Sequence, residues 1–213
     1  MKTFLFLVIA TWLMALTACN GNSNTRTNAN RAANSSNSGQ IKRGVVPVAD
    51  AEAALIEMEN ASAYGTIKIE LYSNVAPKMV ARFKELAKSG FYDGVTWHRV
   101  NESVIQSGDP LSKDDDPKND GTGGSDKKIE AEFSDIPYDT AIVGAARSQD
   151  INSASSQFFI TLKREPGFDN RYTIFGKVVE GMNNARIIAG VQPKDGERPV
   201  EPIRIKRITI VPR

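Results

Sequence analysis

The sequence has few of the side chains with which enzymes bind metals or build nucleophiles. Its 213 residues include one cysteine, Cys19, and one histidine, His98. A lone cysteine excludes a disulfide within the chain, and one cysteine with one histidine cannot supply a His/Cys metal cluster. A hydrolase triad of serine, histidine and aspartate would have to use His98. We therefore expect neither a metal ion nor a cofactor.

The sequence also lacks a dominant charge and a long apolar stretch. It has 27 basic and 25 acidic residues, and the basic ones are spread along the chain rather than gathered in one stripe. This balance gives no support to nucleic-acid binding. An apolar run extends from Phe4 to Leu16, but it is shorter than the roughly 20 residues that a membrane-spanning helix needs.

The N-terminus has the features of an export signal. Lys2 precedes the apolar run, and small residues follow it in Leu16-Thr17-Ala18-Cys19. This tetrapeptide resembles the lipobox of bacterial lipoproteins, in which the cysteine receives lipid and becomes the first mature residue. The resemblance implies a signal peptide over residues 1–18 and a lipid-anchored protein in the cell envelope, facing the periplasm or the outer surface. The alternative is an ordinary cleaved signal with an incidental cysteine.

A polar segment separates this signal from the rest of the chain. From Asn20 to about Gln40 the residues are mostly Asn, Ser, Thr, Ala, Gly and Arg. Such a composition cannot bury enough apolar surface to offset the entropy of ordering. We therefore interpret residues 19–44 as a flexible tether and residues 45–213 as one domain with its own core.

The domain has mostly strand patterns and two helix patterns. Segments 53–58 and 66–71 form a predicted hairpin, and in the second of them Ile67, Ile69 and Leu71 alternate with charged residues. Pro77 opens a predicted helix that ends at Gly90, a weaker helix covers 181–189, and 203–211 forms the last strand. The pattern alone supports an all-β barrel or sandwich with helical caps.

Two strand-like segments carry polar and aromatic side chains that could share a surface. Because side chains alternate faces along a strand, Gln157 and Phe159 lie on one face, as do Val104 and Gln106. Together with Arg99, they would form a shallow site suited to holding a peptide. Such a site is poorly equipped to break covalent bonds.

These segments resemble the cyclophilin family of peptidyl-prolyl cis-trans isomerases, particularly its bacterial members. The likeness extends from about Ala53 to the C-terminus and includes the segments 65–72, 76–78, 89–94, 97–100, 104–109, 121–124, 156–160 and 175–178. It implies an eight-stranded antiparallel barrel capped by two α-helices. It also implies an isomerase of X-Pro bonds that binds proline-containing polypeptides. Combined with the lipobox and the tether, it leads us to expect an enzyme that assists the folding of exported proteins. We expect it to act as a monomer.

The resemblance also assigns roles to individual positions. Arg99 matches the catalytic arginine, Gln106 the glutamine that orients the arginine or the peptide, and Phe159 the floor of the proline pocket. The remaining matched positions would contact the peptide: Val104, Arg147, Ser148, Gln157, Phe168 and Tyr172.

Several positions depart from the family pattern. Ser103 and Val104 stand where phenylalanine and methionine are usual, Gly167 stands at a position that carries tryptophan in cyclosporin-sensitive members, and the stretch from Arg99 to Gln106 is one residue shorter. We expect a shallower, less apolar pocket and weak cyclosporin binding. A cyclophilin-like module that binds proline-containing segments or a partner protein without catalysis is therefore an alternative. A hydrolase is a weaker one, because strand alternation sends His98 to the face opposite Arg99.

Overall fold

A computed structural model of the protein describes residues 39–192 and 196–213. The predicted signal peptide, Cys19 and most of the predicted tether lie outside these residues. The described elements, in chain order, are β1 (Glu52–Met58), α1 (Ala61–Tyr64), β2 (Thr66–Leu71), α2 (Pro77–Lys88), β3 (Arg99–Val100), β4 (Val104–Ser107), β5 (Ile142–Ala145), β6 (Phe158–Thr161), β7 (Ile174–Glu180), α3 (Met182–Ala189) and β8 (Ile205–Pro212). No described helix is long and apolar enough to cross a membrane.

The predicted hairpin and its alternation are present. Strands β1 and β2 pair antiparallel, and Ile67, Ile69 and Leu71 are fully buried while Lys68 and Glu70 are partly exposed. The single-turn helix α1 lies where only a turn is predicted. The Asn60 side chain caps it by accepting a hydrogen bond from the Ala63 N–H, as expected for asparagine at a helix N-cap.

All eight strands belong to one antiparallel sheet, in the order β3-β4-β6-β5-β7-β2-β1-β8. Its two ends come together through the segments that precede β3 and β8. The Trp97 N–H donates to the Ile203 carbonyl at 3.0 Å, and the Ile205 N–H donates to the Val95 carbonyl at 2.8 Å. These bonds link both edges of the sheet, as the predicted barrel requires.

Helix α2 begins at Pro77, as predicted, and covers the larger core. Met79, Val80, Phe83 and Leu86 recur at helical spacing and are buried. The Phe83 ring lies 5.5 Å from Phe158 and 5.2 Å from Phe175, measured between ring centroids. The fold expected from the resemblance, an eight-stranded barrel with two main helices, is confirmed.

A second, smaller apolar cluster lies apart from this core. Its buried members are Tyr72, Val75, Val104, Tyr138, Ile142, Phe159 and Ile174, and Phe168 and Tyr172 are partly buried against it. Alternation along β6 explains the division, because Phe158 belongs to the larger core and Phe159 to the smaller cluster. Four of the predicted site residues lie in this smaller cluster or against it: Val104, Phe159, Phe168 and Tyr172.

The described end of the predicted tether lies against the domain. The Lys42 N–H donates to the Phe133 carbonyl at 2.8 Å, and the Asp135 N–H returns a bond to the Lys42 carbonyl at 3.1 Å. The Gly44 N–H donates to the Asp135 carboxylate. Residues 39–44 therefore add contacts to the domain that begins, in the sequence interpretation, at residue 45.

Candidate active site

Three predicted catalytic residues lie side by side on neighbouring strands. Arg99 of β3 is paired with Gln106 of β4, and Gln106 is paired with Phe159 of β6. Directly opposite residues of an antiparallel pair have their side chains on the same face. The sheet therefore aligns a guanidinium, an amide and an aromatic ring in one row.

The Phe159 end of the row is an aromatic pocket. The Phe159 ring stacks on Tyr138 at 5.7 Å and meets Phe168 and Tyr172 edge-on at 5.4 and 5.6 Å, between centroids. Gly144 of β5 lies opposite Phe159, and a Cβ atom there would come within 2.5 Å of the phenylalanine ring. The glycine therefore leaves room for the ring that forms the pocket floor.

The positions that depart from the family pattern lie at the edge of this pocket. Val104 belongs to the smaller apolar cluster. Ser103 lies in the β3–β4 turn, where its N–H donates to the Asn101 side chain and its carbonyl accepts from Leu162. A side chain at Gly167 would meet nothing within 4 Å. The expectation of a shallower pocket with weak cyclosporin binding stays a prediction.

Arg99 is held by a residue that the sequence interpretation missed. Its Nε donates to the Glu197 carboxylate, and the side chain of Arg99 remains 45% exposed. The hydrogen bond from Arg99 holds the pKa of Glu197 below its usual value, so the carboxylate is ionised at neutral pH. Glu197 is 98 residues away in a loop without periodic pattern, and no sequence signal pointed to it.

Gln106 is engaged with Gln157 rather than with Arg99. The side-chain amide nitrogen of Gln106 donates to the side-chain amide oxygen of Gln157 at 2.8 Å. The Gln157 amide nitrogen in turn donates to the carbonyls of Gly121 and Gly123 at 3.0 and 2.7 Å. Gln157 therefore couples the central residue of the row to the glycine-rich loop over residues 121–124.

Arg147 supports the pocket wall with its side chain. Its Nε and one terminal nitrogen donate to the Arg171 carbonyl at 3.1 and 2.8 Å, and the other donates to the Ser148 carbonyl at 2.8 Å. Its guanidinium carbon also lies 4.7 Å from the centroid of the Tyr172 ring, a cation–π contact. Because these groups are engaged, a bound peptide would meet mainly the backbone here.

A polar cleft of about 370 Å³ adjoins the row on the Gln106 side. Lys128 and Arg147 line it, and its lining contains no aspartate or glutamate; the other lining residues are Gln106, Gly121, Thr122, Gly123, Gly124, Ser125, Ala146, Ser148, Ser153, Ser155 and Gln157. The site thus has an apolar pocket on one side and a positively charged cleft on the other.

His98 is buried beneath the glycine-rich loop and does not join the row. It is 7% exposed, and a Cβ atom at Gly121 would lie 3.5 Å from its ring. Burial lowers the pKa of His98, although the nearby Asp109 carboxylate opposes this. A buried neutral imidazole packed under a loop is a poor candidate for a hydrolytic base. Within residues 39–192 and 196–213, no three His, Cys, Asp or Glu side chains are placed to hold a metal ion.

The arrangement suits the binding of a peptide around a proline. An aromatic floor can accept the proline ring, and a guanidinium and an amide beside it can donate hydrogen bonds to the adjoining backbone. None of the row residues Arg99, Gln106 and Phe159 carries a hydroxyl, thiol, amine or carboxylate that could serve as a nucleophile.

Comparison with known proteins identifies the family. The model described as cyclophilin type peptidyl-prolyl cis-trans isomerase/CLD matches residues 55–210. A peptidyl-prolyl cis-trans isomerase of Schizosaccharomyces pombe is 38% identical over 156 residues, which are 71% of this chain and 96% of that protein. A probable peptidyl-prolyl cis-trans isomerase of Brucella suis is 42% identical over 139 residues, 62% of this chain and 71% of that protein.

A solved structure supports the same assignment. It is the crystal structure of a cyclophilin type peptidyl-prolyl cis-trans isomerase of Cryptosporidium parvum in the presence of the dipeptide Ala-Pro, with a TM-score of 0.67 and 28% identity. The match covers 76% of this chain and 99% of that one. The bacterial and lipoprotein character predicted from the sequence is untested by these relatives. The family prediction is confirmed: the chain belongs to the cyclophilin-type peptidyl-prolyl cis-trans isomerases.

Proposed function

We propose that this chain accelerates cis-trans exchange of X-Pro bonds in exported proteins, and that Arg99 stabilises the twisted amide of the transition state. The observation that carries the proposal is the row of Arg99, Gln106 and Phe159 across three adjacent strands. A lipid on Cys19 would hold the enzyme at a membrane of the cell envelope.

The catalytic step is a rotation, so it needs no nucleophile. The X-Pro bond has partial double-bond character, and its rotation barrier is about 18–20 kcal/mol. When the amide twists, conjugation is lost and the prolyl nitrogen becomes a hydrogen-bond acceptor. A donor placed at that nitrogen or at the rotating carbonyl binds the twisted form better than either planar form, which is the requirement for catalysis.

Arg99 has the properties of that donor. Its Nε is engaged by Glu197, and neither terminal nitrogen donates to any residue that the structure describes. A guanidinium stays charged at every physiological pH, and its planar fork holds its donors in fixed directions. The terminal nitrogens are therefore available to a bound peptide.

Phe159 and its aromatic neighbours would hold the proline ring while the other side of the bond turns. Phe159 is 4% exposed, so its ring is a firmly packed floor rather than a mobile side chain. A proline ring held in the pocket keeps a fixed orientation, so that binding energy is used to place the bond correctly for rotation. Gln106 would meet the peptide backbone between the pocket and the polar cleft.

The test is magnetisation-exchange NMR on an Ala-Pro-containing peptide with the full chain in detergent. We expect exchange well above the uncatalysed rate. Arg99→Ala should lower it about a hundredfold, the order of loss seen when one donor to a transition state is removed. Arg207→Ala is the matched control, because Arg207 is also an exposed arginine paired with a glutamate, Glu57, but lies on β8. Arg99→Ala turnover equal to that of the control would refute the mechanism.

The same experiment separates the enzyme from a non-catalytic binding module. The proline ring should be held more weakly here, because there is open space beside Gly167 and no aromatic side chain at Ser103. Line broadening of the peptide without faster exchange, equal in wild type and Arg99→Ala, would establish binding alone.

The envelope location has its own test. Cys19→Ser should abolish lipid attachment, seen as a loss of mass and a shift from the membrane fraction to the soluble fraction after cell breakage. A wild-type protein without lipid mass on its mature N-terminus would contradict the anchoring proposal and leave the isomerase proposal intact.

A further inference from the structure

Glu197 contacts β3 and the residue that follows it in three ways. One carboxylate oxygen accepts from the Arg99 Nε, and the other accepts from the Asn101 side-chain amide. Its backbone carbonyl accepts from the Val100 N–H at 2.6 Å. One residue of the loop before β8 therefore binds three consecutive residues, Arg99, Val100 and Asn101.

This contact leaves the two terminal nitrogens of the Arg99 guanidinium uncovered. Only Nε is used, and the two terminal nitrogens donate to none of the described residues. An arginine side chain has many rotamers, and a carboxylate on Nε selects among them without covering the fork. An ion pair at the terminal nitrogens would instead compete with the substrate.

No other described side chain performs this task. The Gln106 amide, which the family resemblance makes a candidate for orienting the arginine, donates to Gln157. The Asn101 side chain is itself fixed, because its oxygen accepts from the N–H groups of Ser103 and Val104 at 2.8 Å each. Asn101 thus anchors the short β3–β4 turn and directs its amide to Glu197.

The neighbouring residue extends the connection to the other side of the site. Arg198 pairs with Asp120 through its Nε at 3.0 Å, and Asp120 directly precedes the glycine-rich loop. Residues 197 and 198 therefore contact both the arginine and the loop that borders the polar cleft.

We infer that Glu197 is the positioning residue of Arg99: it aims the guanidinium at the rotating amide and thereby raises the turnover rate. The inference rests on the proposed function. It assigns to a carboxylate in the loop before β8 one of the two roles, orienting the arginine or the peptide, that the family resemblance left open for Gln106.

The test compares Glu197→Ala and Glu197→Gln in the full chain. Glu197→Ala should lower kcat about tenfold and change KM less than about twofold, because a misaimed donor weakens only the transition state. Glu197→Gln keeps an oxygen that can accept from Nε, and should recover most of the rate. Glu201→Ala is the matched control, since Glu201 is an exposed glutamate of the same loop.

A second measurement reports the contact itself. The Arg99 Nε–H resonance, identified by its absence in Arg99→Lys, should be protected from solvent exchange in wild type and in Glu197→Gln. It should lose that protection in Glu197→Ala. A loss of stability alone would not produce this pattern in the folded protein.

The outcomes distinguish the inference from the proposed function. An active wild type whose rate is unchanged in Glu197→Ala overturns the role of Glu197 and leaves the isomerase intact. A faster Glu197→Ala would mean that the carboxylate restrains the arginine, and would also overturn the inference. A wild type without turnover overturns both proposals, whereas a protected Nε–H would still confirm the contact.

Discussion

Two neighbouring phenylalanines on β6 are buried to almost the same degree but belong to different regions. Phe158 is fully buried and Phe159 is 4% exposed. Phe158 lies in the larger core, where its ring meets those of Phe83, Tyr92 and Trp97 edge-on at 5.5–5.8 Å. Phe159 lies in the smaller cluster, next to Gln106.

The difference lies in what covers each ring. Helix α2 closes the larger core through Phe83. The smaller cluster is bordered by Phe168 and Tyr172, which are only partly buried, and by the polar side chain of Gln106 on β4. The degree of burial therefore does not separate an aromatic residue of the larger core from one at the candidate site. The residues at the edge of each cluster make this distinction, because a ligand can enter only where the cluster is open.

The largest effect in this comparison should come from Phe158→Ala. Removing a fully buried ring enclosed by three other aromatic rings leaves a cavity that the sheet cannot close, and it should cost about 3–5 kcal/mol of unfolding free energy. Denaturant unfolding measures this loss. Turnover of the folded fraction at low temperature should match that of wild type, and a specific loss of turnover would place Phe158 in the site.

The second effect should come from Phe159→Ala and should appear mainly in activity. Losing the floor removes apolar contact with the proline ring, so kcat/KM should fall about ten- to hundredfold, equivalent to about 1.4–2.8 kcal/mol. The unfolding free energy should fall less than in Phe158→Ala, because the open cluster can relax or admit water. Equal destabilisation by the two variants, with activity retained in Phe159→Ala, would erase the distinction between the regions.

Much of this arrangement could be predicted from local patterns. The alternation of Ile67, Ile69 and Leu71 predicts β2, and Pro77 predicts the start of α2, because both signals depend on periods of a few residues. Side-chain alternation along the segment that leads into β6 also predicts Gln157 and Phe159 on one face. The single turn of α1 is missed, since a four-residue helix has too few residues to show a period.

The pairing of distant segments could not be predicted from the sequence. The bonds from the Trp97 N–H to Ile203 and from the Ile205 N–H to Val95 bring together the ends of the sheet over more than 100 residues. No local pattern encodes that register. Glu197 escapes prediction for the same reason, because its role exists only once its loop reaches β3. Arg99, Gln106 and Phe159 could be assigned roles by family resemblance. Their alignment in one row needed the strand order.

A smaller effect should come from the buried residue His98, as a pH dependence of the unfolding free energy. Burial lowers the pKa of His98 in the folded protein below the ordinary value of 6.5. Just below pH 6.5, His98 therefore binds a proton in the unfolded chain but stays neutral in the folded protein. The unfolding free energy should therefore fall as pH decreases from about 6.5 toward the folded pKa, and this contribution should be constant above that range.

His98→Gln removes this titration and provides the comparison. Denaturant unfolding between pH 5 and 8 should give a wild-type slope that the variant lacks. Burial raises the pKa of Asp120, but Asp120 is present in both proteins, so the difference between them isolates His98. A slope of the same size in His98→Gln would assign the pH dependence to another group.

The smallest effect should come from the open side of the site, where Lys128 lines the polar cleft. Lys128 and Arg147 face no acidic lining residue there, so a peptide with an acidic side chain beside the X-Pro unit should be preferred. Lys128→Glu should reduce kcat/KM for such a peptide about two- to fivefold, because an exposed charge pair is worth about 0.2–1 kcal/mol. Its kcat/KM for a neutral peptide should stay near that of wild type. Lys127→Glu makes the same charge change outside the cleft lining. If both variants lower the rate equally, the preference reflects overall charge rather than the cleft, and the open side of the molecule does not select among substrates.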